Sequence, residues 1–216
     1  MLSKISVLII GALISSFLAP NDPSMGWREE LKKIISPVDE ERQNFIPHEY
    51  FVNQHGKLIT LGESYYEGAR KVTEDEHYRI YKYCQKWNVD YDLMLALFYI
   101  ESGCNIDRDP YDGYPPAWKT AYYGAGSVGA PWADWCLREF GLDITDKYEA
   151  LEASCAIISY YIDERLMYWD DYNECVMRAL ARYNTGEYST LSEDGKRYAN
   201  YVIYISKQIK AYYGEE

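Results

Sequence analysis

Two kinds of sequence alternate along the chain. Some stretches show no period, while in others apolar residues recur every three or four positions, and the second kind dominates after residue 72. In VTEDEHYRIYKYCQKW, Ile80, Tyr81, Cys84 and Trp87 fall at helical spacing. Thr73 and Glu76 have the T-x-x-E form in which side chain and backbone cap each other reciprocally. A second helix is predicted in VDYDLMLALFYIES, with Asp90 as N-cap and Leu93, Ala96, Leu97 and Ile100 on one side. Glu101 stands at its C-terminal end. A third helix starts near Asp146, with Glu149 three residues on, and turns Leu151, Cys155, Ile158, Ile162, Leu166 and Trp169 inward. A fourth begins at Asp171, has Glu174 in its first turn, carries Val176, Ala179, Leu180 and Tyr183, and stops at Gly186. The last runs from about Asp194 to Tyr213 and is expected to bury Tyr198, Tyr201 or Val202, Ile205 and Ile209. The pattern contains no repeats and predicts an all-α domain over residues 73–216.

Elsewhere the period is lost. Residues 105–126 hold Asp107, Asp109 and Asp112 among prolines and glycines and read as a long loop. Residues 25–72 are polar, with scattered Pro and Gly, and read as a linker or N-terminal extension with a short strand or hairpin in KLITL. Residues 1–24 carry Lys4 and then an uncharged, largely apolar run from Ile5 to Ala19, the layout of an export signal. Cleavage after Ala19 would leave Pro20 at the next position, an unfavourable choice, so an uncleaved membrane anchor is the alternative. That run is shorter than the roughly 20 residues a spanning helix needs. Either reading puts the remainder outside the cytoplasm, in the cell envelope or the extracellular space.

Composition narrows the partners. With 48% hydrophobic and 26% charged residues, 216 residues suffice for one domain with a substantial core. A formal charge of −12 with no basic stripe argues against nucleic acid, whose phosphates are bound by clustered Lys and Arg. The same charge works against nonspecific adsorption to anionic polymers. Twenty-four tyrosines and six tryptophans suit a groove that stacks on sugars, or serve as core filler. The five cysteines, Cys84, Cys104, Cys136, Cys155 and Cys175, are an odd number without CxxC spacing or a nearby His, so no metal site is expected, and no cofactor. They read as buried thiols, or as one or two disulfides formed after export.

Glu101 is the candidate for chemistry. A carboxyl flanked by Phe98, Tyr99 and Ile100 loses hydration, and desolvation favours the neutral acid, which is the profile of a general acid.

Four motifs surround it in order: VDYDLMLALFYIESGCN, GSVGAPW from Gly126 to Trp132, ALARYNTG from Ala179 to Gly186, and YANYV from Tyr198 to Val202. Over roughly residues 73–213 the chain resembles the lytic transglycosylases of the soluble-lytic type, a branch of the lysozyme-like fold. The resemblance rests on an E-S pair, a G-x-x-G turn, an A-x-Y-N-x-G helix end and a late Y-x-x-x-V helix. It implies that Glu101 is the catalytic acid and base, with Ser102 holding the site beside it. It further implies that Tyr183 places its hydroxyl near the Glu101 carboxyl, and that Asn184 fixes the helix end or touches substrate. On the same resemblance, Gly126 and Gly129 would let the backbone turn close to the sugar. Tyr198 reads equally as core or groove, and Tyr183 with Asn184 also fits a buried ring followed by a capping asparagine.

The chain departs from the family at one point. Where the G-x-x-G turn usually runs into Leu-Met-Gln, this sequence has Ala130, Pro131 and Trp132. Trp132 then stacks on a sugar in place of a glutamine contact, or else APWADW is a helix start with Trp132 in the core. The implied substrate is the glycan strand of peptidoglycan, cut at the MurNAc–GlcNAc β-1,4 bond. Most glycosidases use two carboxylates, but the pattern offers one, so an acetamido group of the substrate would support the anomeric centre. The alternatives are a hydrolytic lysozyme in which Asp107, Asp109 or Asp112 positions a water, and a glycan-binding envelope protein whose catalysis is lost through the altered turn.

Overall fold

The computed structural model describes residues 40–62, 70–107, 122–169, 171–186 and 191–214. The expected signal or anchor over residues 1–24 and most of the loop over residues 105–126 lie outside them. The chain divides into two units, residues 1–45 and 46–216. In the first, the described part is one short helix, α1 (Glu40–Asn44).

The second unit is predominantly helical, and its chain reversals follow local chemistry. Strands β1 (Tyr50–Val52) and β2 (Leu58–Thr60) form an antiparallel hairpin, with Phe51 opposite Ile59. Helix α2 (Glu74–Trp87) opens on the capping box: Thr73 Oγ1 accepts from the Glu76 N–H at 3.3 Å, and the Glu76 carboxylate accepts from the Thr73 N–H at 2.9 Å. Arg70 also grips that carboxylate, at 2.7 Å through one guanidinium nitrogen, and holds it well below its ordinary range, at about 2. Helix α3 (Tyr91–Ser102) starts on Asp90, whose carboxylate accepts from the Leu93 N–H at 2.8 Å. Every residue from Asp92 to Phe98 is buried, so α3 is the central helix and has no solvent face in that stretch, where the spacing predicts one apolar side.

After the loop come the short strands β3 (Tyr122–Tyr123) and β4 (Val128–Gly129), which pair antiparallel, a 3-10 turn (Ala130–Trp132) and α4 (Ala133–Phe140). Three longer helices complete the unit: α5 (Lys147–Leu166), α6 (Tyr172–Thr185) and α7 (Glu193–Tyr213), capped by Asp146, Asp171 and Ser192. Helix α7 packs on α6 and α3, α6 on α5, and α5 on α2. No helix among the described residues is long and apolar enough to cross a membrane.

Several expectations need correcting. Residues 46–62 and 70–72 are not separate from the helical body: Phe51, Leu61 and Val72 are core residues, and β1 packs on α7. The Tyr213 hydroxyl accepts the backbone N–H groups of Glu49 at 2.7 Å and Tyr50 at 3.2 Å, tying the hairpin to the end of α7. Helix α4 begins where APWADW reads as a helix start, but the sequence did not mark its extent, because its eight residues bury only Cys136 completely and leave a weak apolar pattern. Leu166, at the last position of α5, points outward at 41% exposure, and of the two residues weighed on α7 Val202 is buried while Tyr201 is 54% exposed. The five cysteines, in line with the first of their two readings, are buried free thiols in this structure.

Candidate active site

Glu101 occupies the last turn of α3. The helix ends one residue later, where Gly103 adopts φ +65 and its N–H and that of Cys104 satisfy the carbonyls of Tyr99 and Phe98. Stopping there frees Ser102 to fasten the helix end to the turn between β3 and β4. Ser102 Oγ donates to the Ala125 carbonyl at 2.8 Å and accepts from the Asn105 N–H at 3.0 Å, while Ser127 Oγ donates to the Glu101 carbonyl at 3.4 Å. Ser102 is buried and turned into the protein.

The other side of that turn is held from α5 and α6. Tyr183 donates to the Gly126 carbonyl at 2.6 Å and lies 3.2 Å from the Ser154 hydroxyl of α5. A Cβ at position 126 would sit 2.1 Å from Ser154 Oγ and 3.0 Å from the Tyr183 hydroxyl, so glycine there is required by close packing. Gly129 has only ordinary contacts around its missing Cβ.

The hydroxyl bonded to the acid belongs to Tyr198 of α7, which donates to Glu101 Oε1 at 2.5 Å, the length of a charge-assisted bond. The expected neighbour, Tyr183, makes its bonds to Gly126 and Ser154 but still senses the carboxylate. Burial, then the negative charge of Glu101, pushes both phenols well above their ordinary range, so both stay protonated as donors.

A cavity of about 210 Å³ lies alongside, with Tyr122, Ser127, Gly129, Trp132, Tyr183 and Asn184 in its walls. Glu101 is not a wall residue; Ser127 and Tyr183, which contact or sense it, are. Of the expected site residues, Glu101 and Tyr198 therefore meet directly. Gly129, Trp132, Tyr183 and Asn184 share the cavity, and Ser102 and Gly126 act behind it as fasteners. Trp132 faces the cavity and, partly buried, packs edge-to-face against Trp135 at 5.2 Å and the buried Tyr161 at 6.3 Å.

Ser127, Ser154 and Tyr122 escaped the sequence reading. Ser154 left a trace, a lone hydroxyl between apolar residues in EASCAI, where a buried polar group calls for a partner. Of the loop aspartates, Asp107 is engaged by Lys147 at 2.5 Å and Arg70 at 2.7 Å, whose hydrogen bonds hold its carboxyl below its ordinary range. Asp109 and Asp112 lie outside the described residues. A larger cleft of about 500 Å³ between the starts of α3 and α6 and one side of α7 contains Asp90 and Asp171, but both serve as helix caps, and Asp90 also pairs with Lys210. Among the described residues no cluster of three or more His, Cys, Asp or Glu could hold a metal. No family model, no curated protein and no solved structure matches this chain.

Proposed function

We propose that this protein is an exported lytic transglycosylase with a lysozyme-like helical domain, cutting the MurNAc–GlcNAc β-1,4 bond of peptidoglycan without consuming water. The observation that carries the reading is the bond from Tyr198 to Glu101 Oε1 at 2.5 Å, at the end of a buried helix and beside a cavity walled by Trp132, Tyr183 and Asn184. A single carboxyl in contact with a permanent donor can serve both halves of the reaction. Protonated Glu101 gives its proton to the glycosidic oxygen as the bond from that oxygen to C1 breaks, and the substrate's acetamido oxygen supports the anomeric carbon. The resulting Glu101 carboxylate is stabilised by the Tyr198 hydroxyl. It then takes the proton of the sugar's 6-hydroxyl as that oxygen bonds to C1 and closes an anhydro ring. Glu101 ends protonated, ready for the next bond.

Aromatic walls favour the faces of sugar rings, and Asn184 adds an amide for ring substituents. A hydrolytic route would need a second group to orient water, and Asp107 is occupied by Arg70 and Lys147. Export through residues 1–24 would bring the domain to its substrate, either released or tethered to the membrane. Mass spectrometry of digested wall tests the reading, because anhydro ends are lighter than reducing ends by one water. Glu101→Gln keeps size and most hydrogen bonding but removes the transferable proton, so anhydro products should vanish while the fold persists. Reducing ends as the product, or undiminished cleavage by the Gln variant, would overturn it.

A further inference from the structure

Two of the five buried cysteines meet. Cys84 Sγ on α2 and Cys155 Sγ on α5 lie 4.0 Å apart, and their residues are 2% and 0% exposed. Cys104 and Cys175 instead direct their sulfurs at the backbone carbonyls of Leu95 and Trp169. The spacing of α2 and α5 near the close pair is set by other contacts. Lys86 and Trp87, just beyond Cys84, both bond Glu152, one helical turn before Cys155, the indole at 3.1 Å. Closing the sulfurs to the roughly 2.05 Å of a disulfide asks for a movement of about 2 Å at two side-chain ends between helices already in register.

We propose that Cys84 and Cys155 are joined by a disulfide when the protein folds in an oxidising compartment, clamping α2 to α5. The oxidant is a small-molecule or protein disulfide. The thiolate of one cysteine attacks it, forming a mixed disulfide and releasing one thiol. The thiolate of the second cysteine then attacks the mixed disulfide and releases the other. One S–S bond is made, one is broken, and the two protons leave on the released thiols.

The timing follows from burial. The closed core keeps the Cys84 thiol protonated, far above its ordinary value, and excludes an oxidant. The bond therefore forms while the chain is still open, and the redox state met during folding is retained afterwards. The clamp also steadies the site, because Cys155 follows Ser154, the residue that packs against Tyr183 and Gly126. The cross-link joins positions 71 residues apart, a long loop whose closure restricts the unfolded chain strongly.

The test needs no glycan and stands apart from the catalytic reading. The full chain is refolded from denaturant with oxidised and reduced glutathione, or with dithiothreitol alone, then unfolded, alkylated and mapped by mass spectrometry. Oxidative refolding should leave three alkylated cysteines and a cross-linked Cys84–Cys155 peptide, against five alkylated cysteines in dithiothreitol. The oxidised form should unfold on the order of 10 °C higher. In Cys84→Ala both the cross-link and the difference between its two preparations should disappear, which holds even if that variant is less stable. Reduced protein already folded should stay at five alkylated cysteines in the glutathione buffer. Five alkylated cysteines after oxidative refolding, or a cross-link through Cys104, Cys136 or Cys175 instead, would refute the pairing.

Discussion

Replacing Tyr198 with Phe removes one oxygen and leaves the ring. That oxygen donates to Glu101 Oε1 at 2.5 Å from a phenol that stays protonated through the working range. A hydrogen bond to a charged partner contributes about 1.5–3 kcal/mol against about 0.5–1.5 for a neutral one, so this bond favours ionised Glu101 by about 1–1.5 kcal/mol. Losing that preference shifts the balance toward the protonated acid about tenfold, at 1.36 kcal/mol per factor of ten. The first step of the proposed reaction needs Glu101 protonated, so the variant should hold its active form to higher pH. The assay is kcat/KM for release of soluble wall fragments across the pH range, since that ratio reports groups of the free enzyme. The alkaline limb should move up by about 1 pH unit, with little change in the melting temperature. A limb that stays in place, or moves down, would show that Tyr198 only fills space and that its hydroxyl does not tune the acid.

Other perturbations test the scaffold. Gly126→Ala forces a methyl into Ser154 Oγ and the Tyr183 hydroxyl and should cost roughly 1–3 kcal/mol in thermal unfolding; an unchanged melting temperature would contradict the close approach. Trp132→Ala should weaken chitooligosaccharide binding by roughly 1–3 kcal/mol in calorimetry. It should also lower stability by about 2 kcal/mol, because the ring packs on Trp135 and Tyr161; normal binding in a destabilised variant would leave Trp132 a core residue alone. Burial pushes the His77 imidazole down from 6.5 to about 4, so between those values the unfolded chain takes up a proton that the folded chain refuses. Stability supplied by neutral His77 is complete above pH 6.5 and falls by about 3 kcal/mol on acidification to pH 4. In urea unfolding, His77→Gln should lose correspondingly less than the parent over that window, and equal losses would place the pH dependence elsewhere.

Capping and termination were legible because they are decided within a few residues. Thr73 with Glu76, the acids at 90, 146 and 171, and Gly186 mark helix ends by satisfying or releasing neighbouring backbone groups, and the structure begins and ends its helices there. The apolar stretch ahead of Glu101 likewise announced a buried helix with a carboxyl at its end. Which phenol that carboxyl meets was not legible. Tyr183 and Tyr198 are both amphipathic rings on helices, and only the packing of α7 across α3 brings the second within bonding distance of Glu101, leaving the first to the backbone of Gly126. The same holds for the N-terminal hairpin, whose anchor is Tyr213 more than 160 residues away, and for the meeting of Cys84 and Cys155. Local hydrogen bonding and periodicity are written in consecutive residues. Contacts between helices depend on how whole faces pack, and no short stretch of sequence encodes that.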